Sequence, residues 1–232
     1  MRLQERWKKM LEVKNLSAEI NGKKILKDIN IKLEKGKIYF LSGKNGSGKT
    51  TLANILMGNP KYKSSGKIFL DNEDITKLAV DERARKGMLM AFQFPNEIHG
   101  VNFFNFLRTS YNSLNKKKLS FLEFQNFLAK KARFLGIDEK NFFERNINEN
   151  FSGGEKKKAE ILQMLVLNPG IAIIDEFDSG LDSDSLEKIS LKISEFSSPD
   201  KTILIITHNK NLSNYITPDK IIEMKDGRIS KF

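Results

Sequence analysis

Ile38-Tyr39-Phe40-Leu41-Ser42 is a nearly continuous apolar run, as a buried strand requires, and it leads straight into Gly43-Lys44-Asn45-Gly46-Ser47-Gly48-Lys49-Thr50. The octet satisfies G-x-x-x-x-G-K-[ST], and residues 50–57 after it have helical composition. A buried strand, a glycine-rich turn and a helix in immediate succession commit this part of the chain to an α/β unit. The glycines let backbone N–H groups converge on phosphate oxygens with no Cβ in the way, and the helix N-terminus adds partial positive charge. Lys49 is expected to reach the β- and γ-phosphates, and the Thr50 hydroxyl to ligate Mg²⁺.

A phosphate loop leaves the reaction undecided, and other strand ends supply candidates for the rest. Residues 171–176, Ile-Ala-Ile-Ile-Asp-Glu, read as a buried strand that delivers Asp175 and Glu176 at its carboxyl edge, where ligands bind in open α/β sheets. Asp175 is placed to hold the metal's shell and Glu176 to polarise an attacking water. Gln93 follows the strand-like run 88–92, and His208 follows the run 202–207. Gln93 is a candidate for the metal or the water, and His208 for the γ-phosphate; His99 is assigned no role. Phe151-Ser152-Gly153-Gly154-Glu155 precedes a helix expected to run to about Leu167, with Ser152 as its cap and two glycines leaving its N-terminus bare for an anion.

Around these motifs the chain alternates. Residues 11–16, the face formed by Ile29, Ile31 and Leu33, and residues 66–71 read as strands, with a charged, helix-prone stretch at 80–86. From Val101 to Ile171 strand patterns vanish and Phe, Leu and Lys recur at helical spacing, which marks an inserted helical subdomain. Ser120 and Glu123 form a capping-box pattern for a helix ending near Gly136. The last third reads as a helix over 184–196, a strand over 202–207 and a terminal hairpin turned at Asp226-Gly227. The phenylalanines between Phe103 and Phe143 are read mainly as core, with a docking face as the alternative.

Composition narrows the class. The 232 residues suffice for a sizeable core, and the longest apolar runs are strand-sized, far below the roughly 18 residues of a membrane-spanning helix. No direct membrane insertion is expected. Residues 1–10, charged at both signs, read as an N-terminal extension rather than a leader. Without cysteine the chain offers no thiolate to zinc or to an iron-sulfur cluster. The net charge of +11 invites a nucleic-acid reading. Yet the lysines are scattered and carry no aromatic stacking platform, so no nucleic-acid partner is expected.

Taken in order and spacing, GKNGSGKT, Gln93, FSGGE, IAIIDE, the segment 179–182 (SGLD) and His208 resemble the nucleotide-binding domain of the ABC-type ATPases over residues 11–232. The resemblance implies an α/β fold with a phosphate-loop core, a mixed sheet, N-terminal antiparallel strands and an inserted helical subdomain at about 101–165. It implies ATP and Mg²⁺ as ligands and ATP hydrolysis as the activity. By the same resemblance Gly43, Asn45, Gly46, Ser47, Gly48, Lys49, Thr50 and Thr51 bind the nucleotide, and Thr50, Gln93 and Asp175 hold the metal. Glu176, His208 and Lys49 are the implied catalytic residues. Two copies would pair head to tail in an ATP-dependent dimer, with Ser152, Gly153 and Gly154 of one closing on the nucleotide of the other.

Within that family the segments 92–101 (FQFPNEIHGV), 152–164 (SGGEKKKAEILQM) and 175–182 (DEFDSGLD) are similar to the SufC branch, the soluble ATPases of the SUF iron-sulfur cluster assembly machinery. This implies SufB- and SufD-like scaffold partners docked around residues 93–106, in the cytoplasm or a plastid-type organelle interior. The alternative is the ATPase subunit of an ABC membrane transporter. No aromatic stands near residues 19–22 to stack on adenine, so base recognition stays unassigned.

Overall fold

Alternating apolar residues decide the first elements. Leu11, Val13, Leu16 and Ala18 bury one face of β1 (Leu11–Ile20), and Ile29, Ile31 and Leu33 do the same for β2 (Lys23–Leu33). In the computed structural model, which describes residues 10–232, the chain continues through β3 (Ile38–Ser42), α1 (Lys49–Leu56), β4 (Lys63–Leu70), β5 (Glu73–Asp74), α2 (Val80–Arg85) and β6 (Met88–Ala91). Then follow β7 (Ile98–Asn102), α3 (Phe103–Leu114), α4 (Phe121–Phe134), α5 (Glu139–Glu144), β8 (Asn146–Ile147) and α6 (Gly153–Leu167). The last elements are β9 (Ile171–Asp175), α7 (Ser183–Phe196), β10 (Thr202–Ile206), a 3-10 turn (Lys210–Asn214), β11 (Lys220–Lys225) and β12 (Arg228–Lys231). The N-terminal extension expected at 1–10 lies, except for Met10, outside the described residues.

The chain divides into two compact units. The first comprises Met1–Met90, Pro169–Glu176 and Ser197–Phe232, and the second Ala91–Asn168 and Phe177–Phe196. In the first, an antiparallel sheet runs in the order β2-β1-β4-β5, and a six-stranded sheet in the order β12-β11-β3-β10-β9-β6. β11, β3, β10 and β9 pair in parallel, and β12 joins antiparallel through the hairpin at Asp226 and Gly227, both at positive φ. The sheet is therefore mixed. Its central strands β9 and β10 are buried at every position, which is why they read as unbroken apolar runs rather than alternations.

The second unit packs five helices over an aromatic centre. Phe103 meets Phe142 edge-on at 5.2 Å, Phe104 meets Phe124 at 5.4 Å, and Phe142 meets Phe151 at 4.5 Å with the rings tilted by 43°. Five of the phenylalanines between positions 103 and 143 are buried, whereas Phe121 and Phe134 are exposed. The structure corrects one expectation: within the region from Val101 where strand patterns vanish, β8 and the end of β7 belong to a two-stranded antiparallel sheet, with Asn102 opposite Asn146. The reason is physical. β7 is mostly exposed and contains Gly100, and β8 has only two residues, so neither carries a periodic signal.

Candidate active site

Parallel pairing brings the carboxyl ends of three strands to one edge of the mixed sheet. Ile206 of β10 stands opposite both Leu41 of β3 and Asp175 of β9, so Gly43, Asp175, Glu176 and His208 follow at the same level. The loop after β3 is held from below by the β11–β12 hairpin, whose Gly227 amide donates to the Ser47 carbonyl at 3.1 Å. A Cβ on Gly43, where φ is +146°, would lie 2.2 Å from the Met224 carbonyl oxygen. Only glycine permits that approach.

Helix α1 starts from this loop with Gly48 as N-cap and no side chain capping it, so its first N–H groups are left for an external acceptor. The buried Ser47 hydroxyl has no hydrogen-bond partner among the described residues. Lys49 is 5% exposed, and its ammonium donates to the carbonyls of Gly43 at 2.8 Å and Lys44 at 3.2 Å. An uncapped helix start, an orphaned hydroxyl and a buried ammonium are the donor set a triphosphate needs. Asn45 and Gly46 complete the loop, with Thr51 one residue into α1 beyond Thr50. A cavity of about 880 Å³ opens beside it, lined by Gly43, Lys44, Ser47, His208 and Met224 among others.

The Thr50 hydroxyl donates to Asp175 Oδ1 at 3.4 Å, and Asp175 is buried. A hydroxyl and a carboxylate so placed fit a hard cation that takes its remaining ligands from substrate oxygens and water. The Glu176 amide donates to the Ile206 carbonyl at 3.0 Å, and the residue sits at φ +45°, the left-handed region that a non-glycine residue occupies at a cost. Its Oε1 lies 3.7 Å from His208 Nδ1. The first unit thus brings together Lys49, Thr50, Asp175, Glu176 and His208.

The remaining sequence-predicted residues lie in the second unit. Gln93 stands two residues beyond the end of β6. Ser152 caps α6 in a reciprocal box with Glu155: its hydroxyl accepts from the Glu155 amide at 3.2 Å, and Glu155 accepts from the Ser152 amide at 2.8 Å. Arg145 braces this turn. It donates to Glu155 Oε1 at 2.7 Å and to the Asn150 carbonyl, and its guanidinium lies 4.2 Å from the Phe151 ring centre. Burial works to raise the Glu155 carboxyl, but Arg145 and Ser152 outweigh it and hold it below the usual range. A Cβ on Gly153 or Gly154 would meet nothing within 4 Å, so no packing inside this unit demands glycine at either position.

Sequence reasoning missed Arg145 and two further charged groups, Lys157 and Glu160, both buried on α6. A carboxylate inside the run Ala159-Glu160-Ile161-Leu162 was the signal, because α6 buries eight of its fifteen residues. Burial pushes the Glu160 carboxyl up to about 7, against the Phe92 amide, Gln163 and Lys157, which pull it down. A carboxyl raised on folding leaves stability intact below its unfolded value near 4.5 and removes it as pH rises through about 7. Relative to wild type, Glu160→Gln should therefore gain stability between pH 5 and pH 8, by about 3 kcal/mol. Urea unfolding at the two pH values reads this, and a difference that does not change with pH would contradict the burial argument.

Comparison with known proteins places this geometry. Residues 26–179 match the ABC transporter family. The chain is 45% identical over 228 residues to the probable ATP-dependent transporter ycf16 of Cyanophora paradoxa, covering 96% of this chain and 88% of that protein. It is 46% identical over 223 residues to a probable ABC transporter ATP-binding protein of Streptococcus pyogenes, covering 95% and 87%. Among solved structures, it overlays an ATP-binding cassette of an ABC transporter, MJ1267, with TM-score 0.77 at 28% identity, over 96% of this chain and 90% of that one. It shares its fold with the cassette MJ0796, solved as a dimer in a post-hydrolysis state with ADP and Pi, at TM-score 0.83 and 24% identity, over 95% and 97%. The chain belongs to the ABC transporter family, as an ATP-hydrolysing nucleotide-binding domain.

Proposed function

We propose that this ATPase drives conformational change in a SufB/SufD-like scaffold during iron-sulfur cluster assembly, as a SufC-type subunit. In this reading residues 11–232 act as one ATPase domain, and the helical stretch at about 101–165 carries the scaffold contact. The observation that carries the partner reading is a set of exposed apolar residues flanking Gln93: Phe92 is 47% exposed, Phe94 81% and Ile98 43%. Exposed aromatics two residues apart fit a protein interface better than solvent. The segment SGGEKKKAEILQM and the lack of any cysteine fit a motor whose cluster ligands lie on another chain.

In the catalytic cycle, the loop amides of residues 43–50, Ser47 and Thr51 hold the phosphates, and the Lys49 ammonium leaves its two loop carbonyls for the β- and γ-oxygens. Thr50, Asp175 and Gln93 are the residues that would hold Mg²⁺, which would supply positive charge to offset that of the phosphates. Glu176 takes the proton of the attacking water, and His208 donates to the γ-phosphate. Ser152, Gly153 and Gly154 of a second copy complete the cage, with α6 directing its N-terminal dipole at the phosphate. The open space over Gly153 and Gly154 supports this, since it leaves room for a ligand from outside the unit. The dimeric MJ0796 cassette is a precedent for pairing in this fold.

The second reading, a subunit docked on a membrane transporter, draws on the names of the relatives. Among the described residues no helix is long and apolar enough to cross a membrane. Native purification of the tagged chain separates the two. A cysteine-bearing soluble partner whose binding is lost in a Phe92→Ser/Phe94→Ser variant supports the scaffold reading; recovery with membranes overturns it.

A further inference from the structure

The lysine cluster of α6 has a partner within its own unit. Lys157 donates its ammonium to the Gln93 carbonyl at 2.9 Å, and Glu160, three residues on and hence on the same helix face, accepts from the Phe92 amide through Oε2 at 2.7 Å. Gln163 steadies the other carboxylate oxygen at 3.0 Å. Lys156, next to Lys157, reaches Glu97 Oε1 at 3.0 Å. Three charged side chains of one helix therefore grip the segment 92–97 at both of its ends. Lys157 and Glu160 are 7% and 6% exposed. The gripped segment is different: Phe92 and Phe94 turn their rings outward, so their own burial does not fix the backbone between them.

We propose that Glu160 and Lys157 are positioning residues for Gln93, setting the place and direction from which its side chain reaches the metal. Because α6 also begins at Ser152, whatever moves that helix moves the anchor of Gln93 with it. The cost of burying two charges is met by bonds to main-chain groups on either side of one peptide, an arrangement that spends charge on geometry rather than on a surface ion pair. A solvent-facing lysine pair would have left the Gln93 segment free to follow its exposed rings.

This inference rests on Gln93 acting as a metal ligand, and the experiment separates the two. In Glu160→Leu, hydrogen exchange at the Phe92 amide should accelerate by at least about tenfold. Its apparent KM for Mg²⁺ in ATP hydrolysis should rise by about the same factor, with kcat less affected. Glu160→Gln keeps an acceptor for Phe92 and should restore both readouts to near wild type. Lys157→Met, which leaves the buried carboxyl in place, should raise the KM for Mg²⁺ in the same direction even if Glu160→Leu fails to fold. Combining Glu160→Leu with Gln93→Ala should weaken Mg²⁺ dependence no further than Gln93→Ala alone. Unchanged Phe92 exchange in Glu160→Leu overturns the clamp. Independent, multiplying effects of the two substitutions overturn the positioning role. Unchanged Mg²⁺ dependence in Gln93→Ala removes Gln93 from the metal and the positioning role with it.

Discussion

Glu176→Gln is expected to slow steady-state ATP hydrolysis by roughly 10² to 10⁴, the usual worth of a positioned general base, with nucleotide affinity near the wild-type value. The amide is isosteric, so the backbone at φ +45° and its hydrogen bond to Ile206 persist while the basic lone pair is lost. Lys49→Ala should do the reverse at the binding step. Removing the buried ammonium takes a charge-assisted donor from the loop, and ATP affinity should fall. Equilibrium binding and turnover measured on both variants decide the assignment. Turnover of Glu176→Gln equal to wild type would take that carboxylate out of the mechanism, and undiminished affinity in Lys49→Ala would count against the phosphate loop.

The second large effect concerns stability at a residue far from any motif. Arg83 is 2% exposed on α2, and its guanidinium spends all five N–H groups on main-chain carbonyls. Nη1 donates to Ile55 at 2.8 Å and Leu56 at 2.7 Å, Nη2 to Ile75 at 2.8 Å and Thr76 at 2.9 Å, and Nε to Leu78 at 3.1 Å. The first two are the terminal carbonyls of α1, so the cation closes the C-terminus of the helix whose N-terminus opens at the phosphate loop. Arg83→Met should strand the carbonyls of Leu56, Thr76 and Leu78, while those of Ile55 and Ile75 keep the Gly58 and Leu78 amides, and should lower unfolding free energy by about 3–5 kcal/mol. Arg83→Lys, with three donors and no fork, should recover only part of this. Denaturant unfolding measures both. A loss below about 1 kcal/mol in Arg83→Met would mean that these carbonyls do not depend on the guanidinium.

Much of the fold was legible because its signals are local. The apolar run 38–42, the octet after it and the run 171–176 each declare themselves within a few residues, and the structure places the two runs on either side of β10, with Thr50 at 3.4 Å from Asp175. The cap of α6 at Ser152 and the box at Ser120 were equally plain, since a cap is an arrangement of residues three apart. β7 and β8 were not readable, because short exposed pairing leaves no period.

Sequence alone determined the chemistry offered: which side chains can hold phosphate, metal and water, and in what order along the chain they come. Only the tertiary structure decided what the scattered charges do. Arg83, Lys157 and Glu160 look like surface residues of charged helices, yet each is buried and hydrogen-bonds main chain brought close by folding, up to 68 residues away in sequence. Local pattern reports which face of an element is apolar. The partner that satisfies a buried charge is set by long-range packing, and no periodicity encodes it.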